Sequence, residues 1–196
     1  MLRTDQMMDD AALWLAFREG DNQALGLLAE RYYRTLRRYG MKFMVGPAVV
    51  DDAVQDIFLD LWQRRHRINH TESVKFYLLK ALRHHIIAYL RYHQKFTGES
   101  ALDWDTSMPE NFNAESLLIE QETLSDLTGE LHRQLSRLPK REREALYLRY
   151  YEDLSVHEIA ELMGVNRQSV SNFLQKALHK IRSKWLVSMV LYLFFL

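Results

Sequence analysis

The chain has 196 residues, enough for one or two small domains, and its hydrophobic content of 47% is ample for packed cores. It has no cysteine, which excludes disulfides, thiolate zinc sites and a cysteine nucleophile, and fits a reducing compartment. Its 26 Lys and Arg residues balance 26 Asp and Glu residues, so net charge alone does not indicate nucleic acid. The N-terminus lacks the apolar core of a signal peptide. Apolar residues recur at the spacing of an α-helix over long stretches, which predicts an all-α fold.

Three helices are predicted at the start of the chain. Asp9 or Asp10 can cap the first helix and Gly20 ends it; Asp21 begins a second, which runs to about Met44. After the Gly46-Pro47 turn, a third helix from about Ala48 to His66 has an apolar stripe and an opposite acidic, amide-rich face with one leucine. That face comprises Asp52, Gln55, Asp56, Leu59, Asp60 and Gln63. It could bind a basic partner helix or simply be solvated, and the pattern leaves both open.

A polar loop from Ile68 to Ser73 precedes a fourth predicted helix, from about Val74 to Gln94. This helix interleaves Lys and Arg with aromatic residues. Cationic side chains neutralise phosphates, and aromatic rings stack on unpaired bases. The pattern favours contact with single-stranded or melted DNA, with most of the aromatic residues expected in the core.

Charge is segregated along the chain. Residues 63–95 carry a net +7, residues 96–132 carry −9 without any Lys or Arg, and residues 163–184 are basic again. Two basic blocks separated by an acidic one indicate two nucleic-acid contacts and a linker. The alternative is a pair of solvated helix faces.

The predicted organisation is two small helical domains joined by an acidic flexible linker. The first domain is assigned to residues 9–96 and the second to residues 117–184. Residues 97–116 form the linker, because they contain Gly, Pro and many polar residues without a sustained period. A helix resumes near Glu115, and Leu138-Pro139 opens another with the proline in its first turn.

The stretch from Leu154 to Arg182 predicts two helices joined by a tight turn. Ser155 and Glu158 can form a capping box, Gly164 ends the first helix and Asn166 caps the second. Polar residues on the outer face of the second helix suit base edges and phosphates in a major groove. They are Arg167, Gln168, Ser169, Ser171, Asn172, Gln175 and Lys176. This pattern is that of a helix-turn-helix, and a structural helical hairpin is the alternative.

The last residues, 185–196, are almost wholly apolar. Twelve helical residues span about 18 Å, against about 30 Å of bilayer hydrocarbon, so a transmembrane helix is not expected. The segment is predicted to pack on the second domain, and a sticky surface for a partner is the alternative.

The whole layout, from about Asp9 to Lys184, resembles the extracytoplasmic-function (ECF) sigma factors, the smallest members of the sigma-70 family of bacterial transcription initiation factors. Residues 51–62 resemble region 2.2, which binds the clamp helices of RNA polymerase. Residues 74–91 resemble regions 2.3–2.4, which melt and read the −10 element. Residues 135–182 resemble region 4, which reads the −35 element. The order of the three stretches across an acidic linker makes the resemblance specific.

The resemblance implies a non-catalytic, cytoplasmic factor without a cofactor, whose partners are core RNA polymerase and promoter DNA. A membrane anti-sigma factor is a further candidate partner, the chain itself not spanning the membrane. The resemblance assigns polymerase binding to the acidic face of the third helix. It assigns recognition of the −35 element to the polar face of the helix-turn-helix. The Ile68–Ser73 loop matches the family's specificity loop, which holds a flipped base. The implied −10 residues are Asn69, His70, Thr71, Lys80, Arg83, His84 and Arg91.

Two residues of the fourth helix differ from the family pattern. His84 and Ala88 replace the usual Asn and Asp, and both replacements bear on −10 base preference and DNA melting.

One alternative function is a helix-turn-helix regulator with a helical sensor domain, which binds duplex DNA without polymerase. An enzyme is another, because His66 and His70 have metal-ligand spacing. No H-E-x-x-H motif or carboxylate pair completes such a site, so no metal site is predicted.

Overall fold

The structure is a computed structural model that describes residues 8–43, 45–97 and 134–194, with side chains described to His93 in the first part and to Arg182 in the last. Throughout these residues the secondary structure is helical, which confirms the all-α prediction. They form two compact units, divided between residues 101 and 102. The helix predicted near Glu115 and the linker beyond Thr97 lie outside the described residues.

Capping residues set the ends of the helices in the first unit. Its described helices are α1 (Asp10–Glu19), α2 (Asn22–Met41), α3 (Pro47–Arg64) and α4 (Val74–Thr97). The Oδ1 atom of Asp9 accepts a hydrogen bond from the Ala12 amide at 2.7 Å. Gly20 has φ 106°, a left-handed conformation open to glycine, and Asp21 caps α2. Helix α2 therefore begins as predicted but ends at Met41, three residues before the predicted end.

The core of the first unit is organised around α2, which packs against α1, α3 and α4. Trp14, Leu36, Tyr39 and Leu82 are completely buried there. At Gly40 the three helices α2, α3 and α4 come so close that a Cβ would lie 2.5 Å from Val50 Cγ1 and 3.3 Å from Ile86 Cδ1. Glycine at this position is thus a packing requirement.

Replacing Gly40 by alanine should lower the free energy of unfolding by about 1–3 kcal/mol, because the added methyl overpacks a contact between three helices. Gly26 in the same helix is the matched control, since no atom lies within 4 Å of its Cβ position. Gly26→Ala should stabilise the protein by up to about 1 kcal/mol through helix propensity. Urea denaturation of both variants tests the contrast, and destabilisation of similar size in both would contradict it.

The second unit contains α5 (Lys140–Leu146), a π-helical segment (Tyr147–Tyr151), α6 (Val156–Met163) and α7 (Arg167–Phe194). Pro139 does not lie in the first turn, as the sequence predicted, but at the preceding N-cap position, with an extended ψ of 145°. Helix α7 packs against α5 and α6. Leu138, Leu146 and Ala177 form a buried cluster against which Leu135, Leu174, Leu178 and Ile181 pack.

Helix α7 continues as one helix through most of the apolar segment at the end of the chain. The sequence analysis treated that segment as separate from the second helix of the helix-turn-helix. No glycine or proline interrupts the chain between Arg167 and Phe194, so nothing local ends the helix earlier. The predicted packing of residues 185–196 on the second domain lies outside the described side chains. Among the described residues, no helix combines the length and apolar character needed to cross a bilayer.

Candidate functional site

Four polar side chains and one leucine form an exposed strip along α3. Their spacing over three turns places them on one side of the helix, opposite the buried residues Ala53, Val54, Ile57 and Leu61. This α3 strip consists of Asp52, Gln55, Asp56, Leu59 and Gln63. Leu59 is 59% exposed and is the one large apolar residue of the strip. A leucine surrounded by carboxylates and amides is suited to a partner that offers both an apolar pocket and cationic or amide donors.

Asp60, predicted for the same surface, is only half-buried and has a local partner. Its Oδ1 atom accepts a hydrogen bond from Arg64 Nε at 2.7 Å within α3. Asp51 lies toward α2, where it accepts hydrogen bonds from Tyr33 Oη at 3.0 Å and Arg37 Nε at 2.9 Å. The hydrogen bond to Asp51 raises the pKa of Tyr33. These bonds fix α3 against α2 and so hold the orientation of the strip.

An apolar groove of about 780 Å³ runs between α2 and α3 beside the strip. Gln55 and Leu59 belong to both the strip and the groove. The lining residues from α2 are Asn22, Leu25, Gly26, Ala29, Glu30 and Tyr33, and those from α3 are Val54, Gln55, Phe58, Leu59 and Trp62. The sequence analysis missed the α2 wall. Its small residues, Gly26 and Ala29, spaced three apart within an apolar face, were the available signal.

The loop between α3 and α4 is anchored at both ends. Trp14 Nε1 on α1 donates a hydrogen bond to the Asn69 carbonyl at 3.3 Å, while Ser73 Oγ accepts one from the Phe76 amide at 3.2 Å. Thr71 is half-buried, and its Oγ1 atom lies within hydrogen-bond distance of the Ser73 backbone. The side chains of Asn69 and His70 are left exposed. The backbone of the loop is therefore held while two polar side chains remain accessible.

Cations and an imidazole share one side of α4. Lys80 and Arg83 are half-buried and His84 and Arg91 are exposed, and the Lys80 ammonium lies 5.8 Å from the centroid of the Phe76 ring. Partial burial and the nearby charges of Lys80, Arg83 and Arg91 lower the pKa of His84. At neutral pH its ring is therefore uncharged and can donate at one nitrogen and accept at the other. Tyr92 extends the surface and is 60% exposed.

The α3 strip borders a smaller cleft of about 170 Å³ between α3 and α4. Asp52 and Asp56 line it from α3, and His85 and Tyr89 line it from α4. The acidic residues of the α3 strip thus face α4 across this cleft.

The second unit forms the predicted helix-turn-helix. Ser155 and Glu158 make the capping box, with Ser155 N donating to Glu158 Oε2 at 2.8 Å and Glu158 N donating to Ser155 Oγ at 3.2 Å. Gly164 ends α6 with φ 66°, and Asn166 Oδ1 accepts from the Ser169 amide at 2.7 Å to begin α7. These caps confirm the local chemistry predicted for the turn.

The outer face of α7 carries the predicted polar residues, with two differences. Arg167, Gln168, Asn172, Gln175 and Lys176 are exposed, whereas Ser169 and Ser171 are half-buried. Gln168 Nε2 donates to Asn172 Oδ1 at 3.1 Å, so the two amides are held side by side. Lys180 instead binds the buried Glu142 at 2.8 Å and joins α7 to α5. The predicted polar residues thus lie within the first two and a half turns of α7, and five of the seven are exposed.

Metal-ligating groups do not converge anywhere in the described residues, including around His66 and His70. The surfaces described above contain hydrogen-bonding, cationic and apolar groups suited to macromolecular partners.

Comparisons with protein families match both units. A family model of sigma-70 region 2 matches residues 28–96, and a model of sigma-70 region 4 matches residues 128–181. The first match contains the α3 strip, the loop and α4. The second contains the helix-turn-helix. Together the two matches cover more than half of the chain.

Individual proteins are similar over most of the chain. RNA polymerase sigma factor SigZ of Bacillus subtilis (strain 168) is 23% identical over 159 residues, which are 79% of this chain and 83% of SigZ. The solved structure of CnrH in complex with the cytosolic domain of CnrY has a TM-score of 0.58 at 18% identity and covers 90% of this chain and 96% of its own. The solved structure of RpoE in complex with the anti-sigma factor NepR from Bartonella quintana has a TM-score of 0.55 at 17% identity. The match covers 79% of this chain and 92% of RpoE. The structural similarities show a shared fold.

Proposed function

Because the chain belongs to the sigma-70 family, we propose that it is a transcription initiation factor of the ECF type, which binds core RNA polymerase and directs it to promoters. The observation that carries the proposal is the presence in one chain of a region 2 unit with an exposed α3 strip and a region 4 unit with a polar recognition helix. The proposal assigns binding and DNA melting to the chain and no catalytic chemistry.

Core polymerase binding is assigned to the α3 strip. Asp52, Gln55 and Asp56 offer acceptors and an amide on the exposed side of α3, and Leu59 offers an apolar anchor. Interfaces of this kind draw most of their affinity from a few central anchors surrounded by polar groups. Gln63 extends the strip by one turn, while Asp60, already paired with Arg64, has a lesser role.

Reading of the −10 element is assigned to the loop and α4. A base flipped from the DNA must regain the few kcal/mol lost on unstacking, which requires a shaped and pre-ordered site. The anchored loop offers Asn69 and His70 beside Thr71, and the cations of α4 can neutralise phosphates. His84, neutral at pH 7, can hydrogen-bond a base edge in place of the usual asparagine.

Reading of the −35 element is assigned to α7, with α6 crossing the DNA backbone as in other helix-turn-helix proteins. Asn and Gln side chains pair bidentately with adenine, and Lys and Arg contact guanine or phosphate. Gln168, Asn172 and Lys176 are spaced four apart on the exposed face and are the central contacts, flanked by Arg167 and Gln175. Ser169 and Ser171, which are half-buried, can only contribute at the edge of the surface.

An anti-sigma factor is proposed as a regulatory partner. The support is the fold shared with RpoE, which was solved with the anti-sigma factor NepR. A protein that covers the α3 strip or α7 would block polymerase or promoter binding by competition for the same surfaces.

Co-elution of the full chain with core RNA polymerase on a sizing column tests the function. We expect a stoichiometric complex that binds a promoter fragment, selected from a random library, which neither component binds alone. If the chain does not join the polymerase but shifts duplex DNA by itself, it is a helix-turn-helix regulator and the proposal is wrong.

Two substitutions on α7 should have different signatures on that selected promoter. Asn172→Ala should weaken binding by about 1–3 kcal/mol and relax the base preference at one −35 position, because a base-edge contact is lost. Lys176→Ala should weaken binding to all sequences and reduce the salt slope by about 1, because a phosphate contact is lost. Filter binding of the holoenzyme over a salt series checks both. A uniform loss for Asn172→Ala would contradict its role in base reading.

A further inference from the structure

A hydrogen bond between two exposed side chains joins the helices of the helix-turn-helix. Arg167 Nε, on the first residue of α7, donates to His157 Nδ1, in the first turn of α6, at 3.2 Å. We propose that His157 is a positioning residue, which orients the Arg167 guanidinium so that it reads a guanine of the −35 element. This role rests on the function proposed above, in which α7 enters the major groove of promoter DNA.

The direction of this hydrogen bond determines which donors are left over. A guanidinium only donates hydrogen bonds, so Nδ1 of His157 is the acceptor and a neutral ring carries its proton on Nε2. Since the bond uses the Nε–H group of Arg167, the N–H groups on the terminal Nη1 and Nη2 atoms remain available. Among the residues that the structure describes, none forms a second hydrogen bond with the Arg167 side chain.

The two terminal nitrogens of Arg167 suit the major-groove edge of guanine. That edge presents two acceptors, N7 and O6, and arginine binding both of them is the most frequent specific contact between proteins and DNA. A two-point contact requires a guanidinium of defined orientation. In a helix-turn-helix the base contacts come from the N-terminal residues of the recognition helix, and Arg167 is the first residue of α7.

The backbone on either side of the hydrogen bond is held by helix caps. The capping box begins α6 two residues before His157. Asn166 Oδ1 accepts a hydrogen bond from the Ser169 amide at 2.7 Å and so fixes the start of α7. The imidazole is therefore presented from a fixed backbone, and the Arg167 side chain loses less conformational freedom when it binds DNA.

The position of the hydrogen bond at the surface argues against a role in folding. His157 and Arg167 are both exposed, and contacts between exposed side chains add little to the free energy of unfolding. The expected effect of the bond is therefore on the orientation of the guanidinium. Substitution of either residue should leave the urea denaturation midpoint unchanged.

A double-mutant cycle in the holoenzyme tests the positioning role. The unmodified chain, His157→Ala, Arg167→Ala and the double variant are bound to the selected promoter and to copies in which each −35 base pair is replaced in turn. Arg167→Ala should abolish discrimination at one G·C base pair. His157→Ala should reduce discrimination at the same base pair by about 2- to 10-fold, the range for ordering one released side chain. It should have no further effect in the Arg167→Ala background.

A conservative variant separates the acceptor atom from the bulk of the ring. In His157→Asn the amide oxygen can take the place of Nδ1 as acceptor, so this variant should keep the discrimination that His157→Ala loses. The matched control is His179→Ala, which removes an exposed histidine of α7 twelve residues beyond Arg167 and should leave discrimination unchanged.

Three results overturn the positioning role. The first is an equal loss from His157→Ala with and without Arg167, which would show that the ring contacts DNA directly. The second is an equal loss at every base pair in Arg167→Ala, which would make Arg167 a phosphate contact. The third is failure of His157→Asn to keep discrimination. A holoenzyme of the unmodified chain that discriminates at no −35 base pair overturns the proposed function as well, which distinguishes the two failures.

Discussion

Replacing Leu59 by lysine is expected to weaken binding to core RNA polymerase by about 30- to 1,000-fold, a loss of about 2–4 kcal/mol typical of an interface hot spot. Leu59 is 59% exposed at the centre of the α3 strip and at the edge of the groove. Lysine there would remove the apolar anchor and force an ammonium group out of water. Competition binding against the unmodified protein measures the loss.

Leu15→Lys is the matched control, because Leu15 is also about half exposed but lies on α1, outside the strip. Both variants should unfold at the temperature of the unmodified protein, since neither leucine is in the core. A similar loss of polymerase binding in both variants, or normal binding by Leu59→Lys, would remove the assignment of the interface to α3.

Replacing Trp14 by alanine is expected to lower the free energy of unfolding of the first unit by about 3–5 kcal/mol, the range for deleting a large buried side chain. Trp14 is completely buried, with its ring centroid 5.2 Å from that of Phe17 and 5.1 Å from that of Tyr77. Its loss leaves a cavity between α1 and α4. Urea denaturation followed by circular dichroism measures the change.

Trp14→Phe separates packing from loop anchoring. Phenylalanine keeps an aromatic ring but removes the indole N–H that donates to the Asn69 carbonyl. We expect a smaller loss of stability than in Trp14→Ala, and slower promoter opening because the loop loses its tie to α1. Opening can be followed by the fluorescence of 2-aminopurine in the −10 element. Unchanged opening in Trp14→Phe would show that this hydrogen bond does not order the loop.

Most of the helix ends were predicted correctly from local side-chain chemistry. The aspartates before α1 and α2, the glycines at positions 20 and 164, and the capping box at Ser155 act within one helical turn, so residue type and spacing suffice to identify them. The error at Pro139 was one position, because proline is compatible with both the N-cap and the first helical residue. The end of α2 was placed too late because apolar periodicity continues past it to the buried Phe43.

Residue type and period along single segments were enough to predict the helical class, the helix-turn-helix, the exposed face of α3 and the family resemblance. Which residues of different segments meet depended on the packing of the helices. Packing joined Trp14 to the loop 55 residues away, formed a groove from α2 and α3, and paired Lys180 of α7 with the buried Glu142 of α5. Such contacts depend on the angle and distance between packed helices, which no single amphipathic pattern contains.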